Sequence, residues 1–532
     1  MEQDKITIGI DLGTTFSAVA YVDEHGDAKI IPNDKSERIT PSVVFFENES
    51  NIVVGQTAKD EAVLSPDKVV EFVKREMGRK KEDVRAADNY DIPKPYNFNG
   101  KIYSPEEISA LILKKLKKDA ENYFHGTAIT DAVITVPAYF NEAEKQATID
   151  AGKMARLNVL QLINEPTAAA ISYGISTADK SQKVFVFDLG GGTFDVTILK
   201  IDVKDDSKEI NIINTDGDHR LGGKDWDDRI IEYASNEFSQ NFGEDPRNVI
   251  SALADLRQRA EKAKKQLSEK DRASFPVRTD KGSCKIEITR QQFEDITSDL
   301  LSRINGLCDQ VFKKVNLNWA DIDTILLAGG ATRMPMIQKL LKSISGKELR
   351  TDLINPDECV ALGAALQAKI IGIKKFNQNV SREVKDKLGQ IVVADITSHT
   401  LGVVITDEES GKDIVVPMIP KGTKVPTTIT KPFQTRVDNQ SGVELEIKEG
   451  ESTNPDHTTT IQKAILPIVS YLPKYSPIEV TYSMSPDGML TMIAKDVTNN
   501  KSIEVKVERK SNLTKAEVEK GMSNINSLKV SG

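Results

Sequence analysis

Two stretches of this chain follow one plan, and that repetition constrains the fold more than any other feature. ITIGIDLGTTFSAVAYV, residues 6–22, runs from an apolar segment into Asp11, Leu12, Gly13, Thr14 and Thr15. VFVFDLGGGTFDVTIL, residues 184–199, does the same with Asp188, Gly190, Gly191, Gly192, Thr193 and Asp195. Each copy reads as strand, Asp-Leu-Gly, a turn of small residues and a second strand, the sequence pattern of a hairpin. Branched and aromatic residues such as Val184 to Phe187 belong in a core strand. Acids and glycines at its end therefore mark a backbone that something approaches closely. Two hairpins of one design predict a duplicated architecture.

Around the copies, strands alternate with helices, which predicts α/β layers. DAVITVPAYF reads as a strand. SPEEISALILKKLKKDAENYF reads as a helix capped by Ser104, with Pro105 in its first turn and Glu107 closing a capping box. Ile108, Leu111, Ile112 and Leu116 form its packing stripe. Composition shifts after about residue 370, where KKFNQNVSREVKDKLGQ is polar without a sustained helical stripe and IVVA follows. Beyond it the period is two: Val443, Leu445 and Ile447, then Ile478, Val480 and Tyr482, then Ile503, Val505 and Val507, with a Pro486-Asp487-Gly488 turn. These readings divide the chain into residues 1–378, a linker over 379–394, an antiparallel β-sandwich over 395–510, and a helix start at 511–532 signalled by Thr514 and Glu517.

A net charge of −9 and a pI near 5.4 argue against nucleic-acid or anionic-membrane partners, which reward basic surfaces. The N-terminus lacks a signal-peptide pattern, no apolar run reaches membrane-spanning length, and Cys284, Cys308 and Cys359 lie far apart. The expectation is a soluble, cytoplasmic chain with reduced cysteines.

Glycine turns expose consecutive N–H groups that can close around phosphate oxygens. Asp11, Asp188 and Asp195 would repel phosphate unless a cation lay between, which implies magnesium held largely through water. Thr14, Thr15 and Thr193 add hydroxyls. A third element, ILLAGGATRMP, sets Gly329 and Gly330 after an apolar strand with Arg333 nearby, suited either to a nucleoside or to a plain strand-to-helix turn. Neither a Walker sequence nor a dinucleotide fingerprint is present, so the grip is of another type.

These three elements resemble the phosphate and adenosine loops of the actin, sugar-kinase and heat-shock-70 ATPases. AVITVPAYFNEAEKQAT, LINEPTAAAISYG, LGGKDWDDR and INPDECVALGAALQA narrow the resemblance to the heat shock protein 70 chaperones, over nearly the whole chain. The resemblance implies a two-lobed actin-like ATPase domain of duplicated ribonuclease-H-like fold, a linker, a peptide-binding β-sandwich and a helical lid, here truncated at 511–532. It implies ATP or ADP, magnesium and potassium at Asp11, Gly13, Thr14, Thr15, Phe16, Asp188, Gly190, Gly191, Gly192, Thr193, Asp195, Gly222 and Gly223. Lys74 matches the catalytic lysine and Glu165 the catalytic-site glutamate. The adenosine pocket would draw on Glu261, Lys264, Lys265, Ser268, Gly329, Gly330, Arg333 and Asp357, with Lys265 standing where the family commonly has arginine. Unfolded polypeptides, a J-domain co-chaperone and a nucleotide exchange factor are the implied partners.

The interdomain surface departs from the family pattern. Ile149 and Gln161 replace two basic residues and Lys145 a third, while Asp395 and Asp487 keep their acids and Pro137 matches a proline that relays nucleotide state. Each lost charge-assisted contact is worth on the order of 1 kcal/mol. Val403, Ile405, Phe433, Val443 and Leu445 would form the peptide pocket, with Thr406 and Arg436 arching over it. Two functions compete: an ATP-driven peptide-binding chaperone, and a nucleotide-binding adaptor or exchange factor with little client binding of its own. A sugar kinase or filament protein sharing only the ATPase fold fits the linker and β domain poorly.

Overall fold

The computed structural model describes residues 6–79, 96–176, 180–204, 207–376, 380–467, 472–485, 488–507 and 512–532. Both predicted hairpins form, and each nucleates its own sheet. In the first lobe Thr7–Asp11 pairs antiparallel with Phe16–Val22 and parallel with Asp131–Val136. In the second lobe Gln182–Leu189 pairs antiparallel with Phe194–Lys204 and parallel with Thr324–Ala328. The strand orders correspond: a parallel neighbour, the two hairpin strands, then a third antiparallel strand, Ala28–Ile31 or Ser207–Asp218.

Two helices, Glu165–Ser176 and Cys359–Phe376, pack against each other between the sheets. Small residues permit this. A methyl group on Gly363 would lie 1.8 Å from the Ala168 carbonyl oxygen, so the backbones touch. The predicted helix spans Pro105–Tyr123 with both bonds of its capping box at Ser104 and Glu107, and its whole stripe is buried. Both tryptophans belong to the second lobe: Trp226 is fully buried in its core, and Trp319 packs beside Phe185 and Phe312.

The segment expected to be an irregular linker is built into the second lobe. Ser381 caps a helix over Arg382–Leu388 whose Val384 and Leu388 are buried. Ile391–Ala394 then adds a parallel strand beside Ser207–Asp218. The i, i+4 spacing of the two apolar residues gives this helix its buried face even though most of its surface is charged.

Residues 401–507 form two four-stranded antiparallel sheets around one core containing Leu401, Ile447, Val480, Tyr482 and Met492. The sheets face one another as the alternating pattern requires. Pro486 and Asp487 lie outside the described residues. The C-terminal helix forms over Lys515–Ser527 with the capping box at Thr514 and Glu517. It lies on the first lobe and leads into a strand, Lys529–Ser531, parallel to Asn51–Val54. Among the described residues no helix is long and apolar enough to cross a membrane.

Candidate nucleotide site

The two hairpin loops meet at the floor of a cavity of about 690 Å³. A methyl on Gly191 would lie 1.8 Å from Thr15 Oγ1, and one on Gly192 would lie 2.4 Å from the Thr14 methyl carbon. Only glycine lets the loops come this close. Gly222 and Gly223 brace the second loop, for the amides of Gly223 and Lys224 donate to the carbonyls of Gly190 and Gly191 at 2.9 and 2.8 Å. Gly329, at φ +78°, lies against the Leu189 carbonyl and brings the third glycine element to the same cavity.

Above the loops Lys74 and Glu165 form a buried ion pair. Asp11, Asp188 and Asp195 cluster around them. Burial pushes all three carboxyls up, Asp11 to about 7, and the Glu165 charge adds to it while Lys74 opposes it. Among the described residues, Asp11, Asp188, Asp195 and Glu165 share the Lys74 ammonium, and Asp188 Oδ2 and Asp195 Oδ1 are buried without a hydrogen-bond partner. Buried acid oxygens of this kind call for compensating positive charge. Among the described residues no acid, histidine or cysteine triad closes tightly enough to enclose an ion by itself. The buried carboxylates of Asp188 and Asp195 fit magnesium, which keeps several waters and takes one or two carboxylates.

At the other end of the cavity, Glu261 bonds both Lys59 and Lys265. Burial opposes its ionisation, yet the two ammoniums hold it at about 2. Lys264 donates to Asp227 and to the Gly223 carbonyl, both at 2.8 Å, and Ser268 to the Lys264 carbonyl. Arg333 pairs with Asp357 at 2.6 Å. The Lys265 and Lys59 ammoniums lie 5.3 and 5.2 Å from the Phe16 ring centre.

Sequence reasoning missed Arg75. This residue reaches across the cleft from beside Lys74, donating to the Gly192 carbonyl at 2.9 Å and to Asp225 Oδ2 at 2.6 Å. The same Asp225 oxygen accepts the Gly222 N–H at 2.7 Å. The signal was adjacency: Arg75 follows Lys74 directly, and Asp225 lies within LGGKDWDDR.

The β-sandwich is docked on the nucleotide-cleft lobes. Asn164 donates to Asp395 at 3.0 Å, Lys145 bonds Glu142 and Ser398, and Lys424 bonds Asn211. Pro137 is buried at the head of the Ala138-Tyr139 turn, whose backbone lies beside Asp195 and favours its ionised form. The Tyr139 ring contacts His399 and Lys421. Ile149 is half-buried, and Gln161 accepts from Gln367 at 2.9 Å.

In the sandwich, Val403 and Leu445, expected in the peptide pocket, are sealed at 1% and 2% exposure. Ile405, Phe433 and Val443 are partly buried against the same core. Arg436 Nη1 donates to Thr406 Oγ1 at 3.2 Å, closing the arch.

The family model described as Hsp70 protein matches residues 7–531. The chain is 40% identical over 527 residues to the chaperone protein DnaK of Thermotoga neapolitana, covering 98% of this chain and 83% of that protein. Identity and coverage are the same for DnaK of Thermotoga petrophila and of Thermotoga maritima. With a match of this extent over facing glycine hairpins and a Lys74–Glu165 pair, the chain belongs to the Hsp70 family.

Proposed function

We propose that the cleft binds ATP with magnesium and hydrolyses it, and that nucleotide state sets how firmly the sandwich holds extended apolar peptide segments. Membership of the Hsp70 family makes this chain an ATP-dependent chaperone and an ATP hydrolase. The observation that carries the residue roles is the contact of Gly191 and Gly192 with Thr15 and Thr14 beneath the Lys74–Glu165 pair.

Backbone N–H groups of 13–15 and 190–193 would hold the polyphosphate, with the hydroxyls of Thr14, Thr15 and Thr193 as further donors. Asp11, Asp188 and Asp195 would hold magnesium through its waters, and potassium would share this acidic floor. Magnesium when bound neutralises phosphate charge in the cleft. Glu165 fixes the Lys74 ammonium, which orients the attacking water and offsets charge on the transferring phosphoryl group. Glu261, Lys264, Lys265, Ser268, Gly329, Gly330, Arg333 and Asp357 would surround the nucleoside beside Phe16. A J-domain co-chaperone and an exchange factor are the proposed protein partners, and the cytoplasm the proposed compartment.

One observation favours a second reading, an adaptor with weak client binding: the closed Arg436–Thr406 arch over sealed Val403 and Leu445. Fluorescence anisotropy of a labelled leucine-rich peptide separates the two. Peptide binding followed by release on adding ATP is expected; no binding in any nucleotide state would favour the adaptor.

A further inference from the structure

The two hairpins share a backbone plan, yet the acids at their turns have opposite neighbours. Asp11 and Asp188 occupy matching places, each standing before Leu-Gly or Leu-Gly-Gly at the end of its hairpin's first strand. Across the hairpin Asp11 faces Ala18, whereas Asp188 faces a second acid, Asp195. On the other side of each strand the pattern reverses. Asp188 stands beside Ala328 of its parallel neighbour, which has no side-chain group to donate. The parallel neighbour in the first lobe, Asp131–Val136, brings Thr135 to Asp11, and the Thr135 hydroxyl donates to Asp11 Oδ1 at 3.1 Å.

Packing alone does not call for that hydroxyl. Thr135 is fully buried, and the matching place in the second lobe holds Ala328 at the same complete burial. A buried hydroxyl is costly unless it is bonded, so its value lies in the bond to Asp11. The terminal torsion of an aspartate is broad, and a single donor on one oxygen decides where the other points. Asp11 lines the cavity, and with Oδ1 held against the sheet it is Oδ2 that remains for what enters the cleft. The facing hairpin is built differently: Asp188 Oδ2 and Asp195 Oδ1 are buried without a partner among the described residues. One copy thus supplies a pair of unsatisfied acids, and the other a single acid whose orientation is fixed.

We propose that Thr135 is a positioning residue for the magnesium–nucleotide site, holding Asp11 by one oxygen so that the other is a fixed acceptor for the waters of the ion. The proposal rests on the reading of the cleft stated above.

Thr135→Val removes the donor and keeps the branched shape, Thr135→Ala copies the second lobe, and Thr135→Ser keeps the donor. Calorimetry of ADP binding to the full chain across a magnesium titration reads their effect without turnover. Outer partners of metal-site groups are worth about 10–100-fold in metal affinity, so both donor-free variants are expected to need about tenfold more magnesium for half-maximal tightening of ADP. Thr135→Ser should stay within about threefold of the wild type. ADP affinity without magnesium should be the same in all four proteins, because the glycine loops are untouched. In an Asp11→Asn background, adding Thr135→Val should cost nothing further, since the two act as one unit.

Equal magnesium requirements in the wild type and the donor-free variants overturn the role of Thr135 and leave the magnesium reading intact. So does a Thr135→Ser variant as impaired as Thr135→Val, or a loss of ADP affinity that appears without magnesium, for either marks a distorted sheet. If ADP binding by the wild type is indifferent to magnesium, the reading of the cleft fails and the role of Thr135 fails with it.

Discussion

His399 of the sandwich sits edge-on to Tyr139 of the nucleotide domain, with ring centres 5.0 Å apart and its Nε2 3.2 Å from the Tyr139 carbonyl oxygen. The Tyr139 backbone also lies beside Asp195 at the cleft floor and favours its ionised form. One residue therefore touches both the acid cluster and the sandwich. His399→Ala removes one hydrogen bond of about 1 kcal/mol, so roughly fivefold weaker docking is expected. Basal ATP turnover should persist while ATP-triggered peptide release slows. Comparing phosphate release with peptide anisotropy checks this, and equal losses in both would refute it.

Lys74→Ala is expected to lower turnover at least about 100-fold, since the group acts on charge that develops during transfer. ADP affinity should change little, because the glycine loops remain. Single-turnover assays with calorimetry on the same variant give both numbers. Retained turnover would remove Lys74 from the assigned role.

Arg75→Ala breaks the only described side-chain bond to the Gly192 carbonyl, together with the Asp225 pair. Hydrogen bonds involving a charged partner contribute about 1.5–3 kcal/mol, so kcat should fall about tenfold or more with a smaller change in KM. Arg75→Lys should restore little, because an ammonium cannot span both acceptors in the guanidinium's fixed geometry. A KM effect that exceeds the kcat effect would place Arg75 in ground-state binding alone.

Docking should depend on pH through Glu449, which accepts the Glu142 N–H at 3.2 Å. Burial, then the Glu142 carboxylate, pushes Glu449 up to about 8 from an ordinary 4.5. Docking thus takes up a proton: this contribution is complete below about 4.5 and is lost as pH rises through 8. His399 acts in the opposite sense, pushed down to about 4 by burial and Lys145, so its contribution is present above 6.5 and lost as pH falls through 4. From about pH 6.5 to 8.5 the Glu449 effect should dominate. Interface exchange, corrected for intrinsic rates, should rise over that range in the wild type and stay flat in Glu449→Gln.

Locally encoded features were legible in the sequence. The twin hairpins and the capping boxes at Ser104 and Thr514 depend on residues a few positions apart, and all formed. Alternation at Val443, Leu445 and Ile447 marked one face of a strand. It could not tell a groove from a core, because both demand the same apolar residues. Arg75 escaped because its partners Gly192 and Asp225 lie 117 and 150 positions away. The helix over Arg382–Leu388 escaped because two buried residues among charges fall short of a periodic signal. Lys529–Ser531 is too short to alternate and owes its conformation to the waiting edge of Asn51–Val54.

With Trp226 and Trp319 both confined to the second lobe, intrinsic emission is a spectroscopic window on that lobe alone. A denaturation curve followed at tryptophan wavelengths would record its melting and stay silent while the sandwich came apart. A fluorophore placed in the sandwich would turn the same titration into two separable signals, each reporting one half of the molecule.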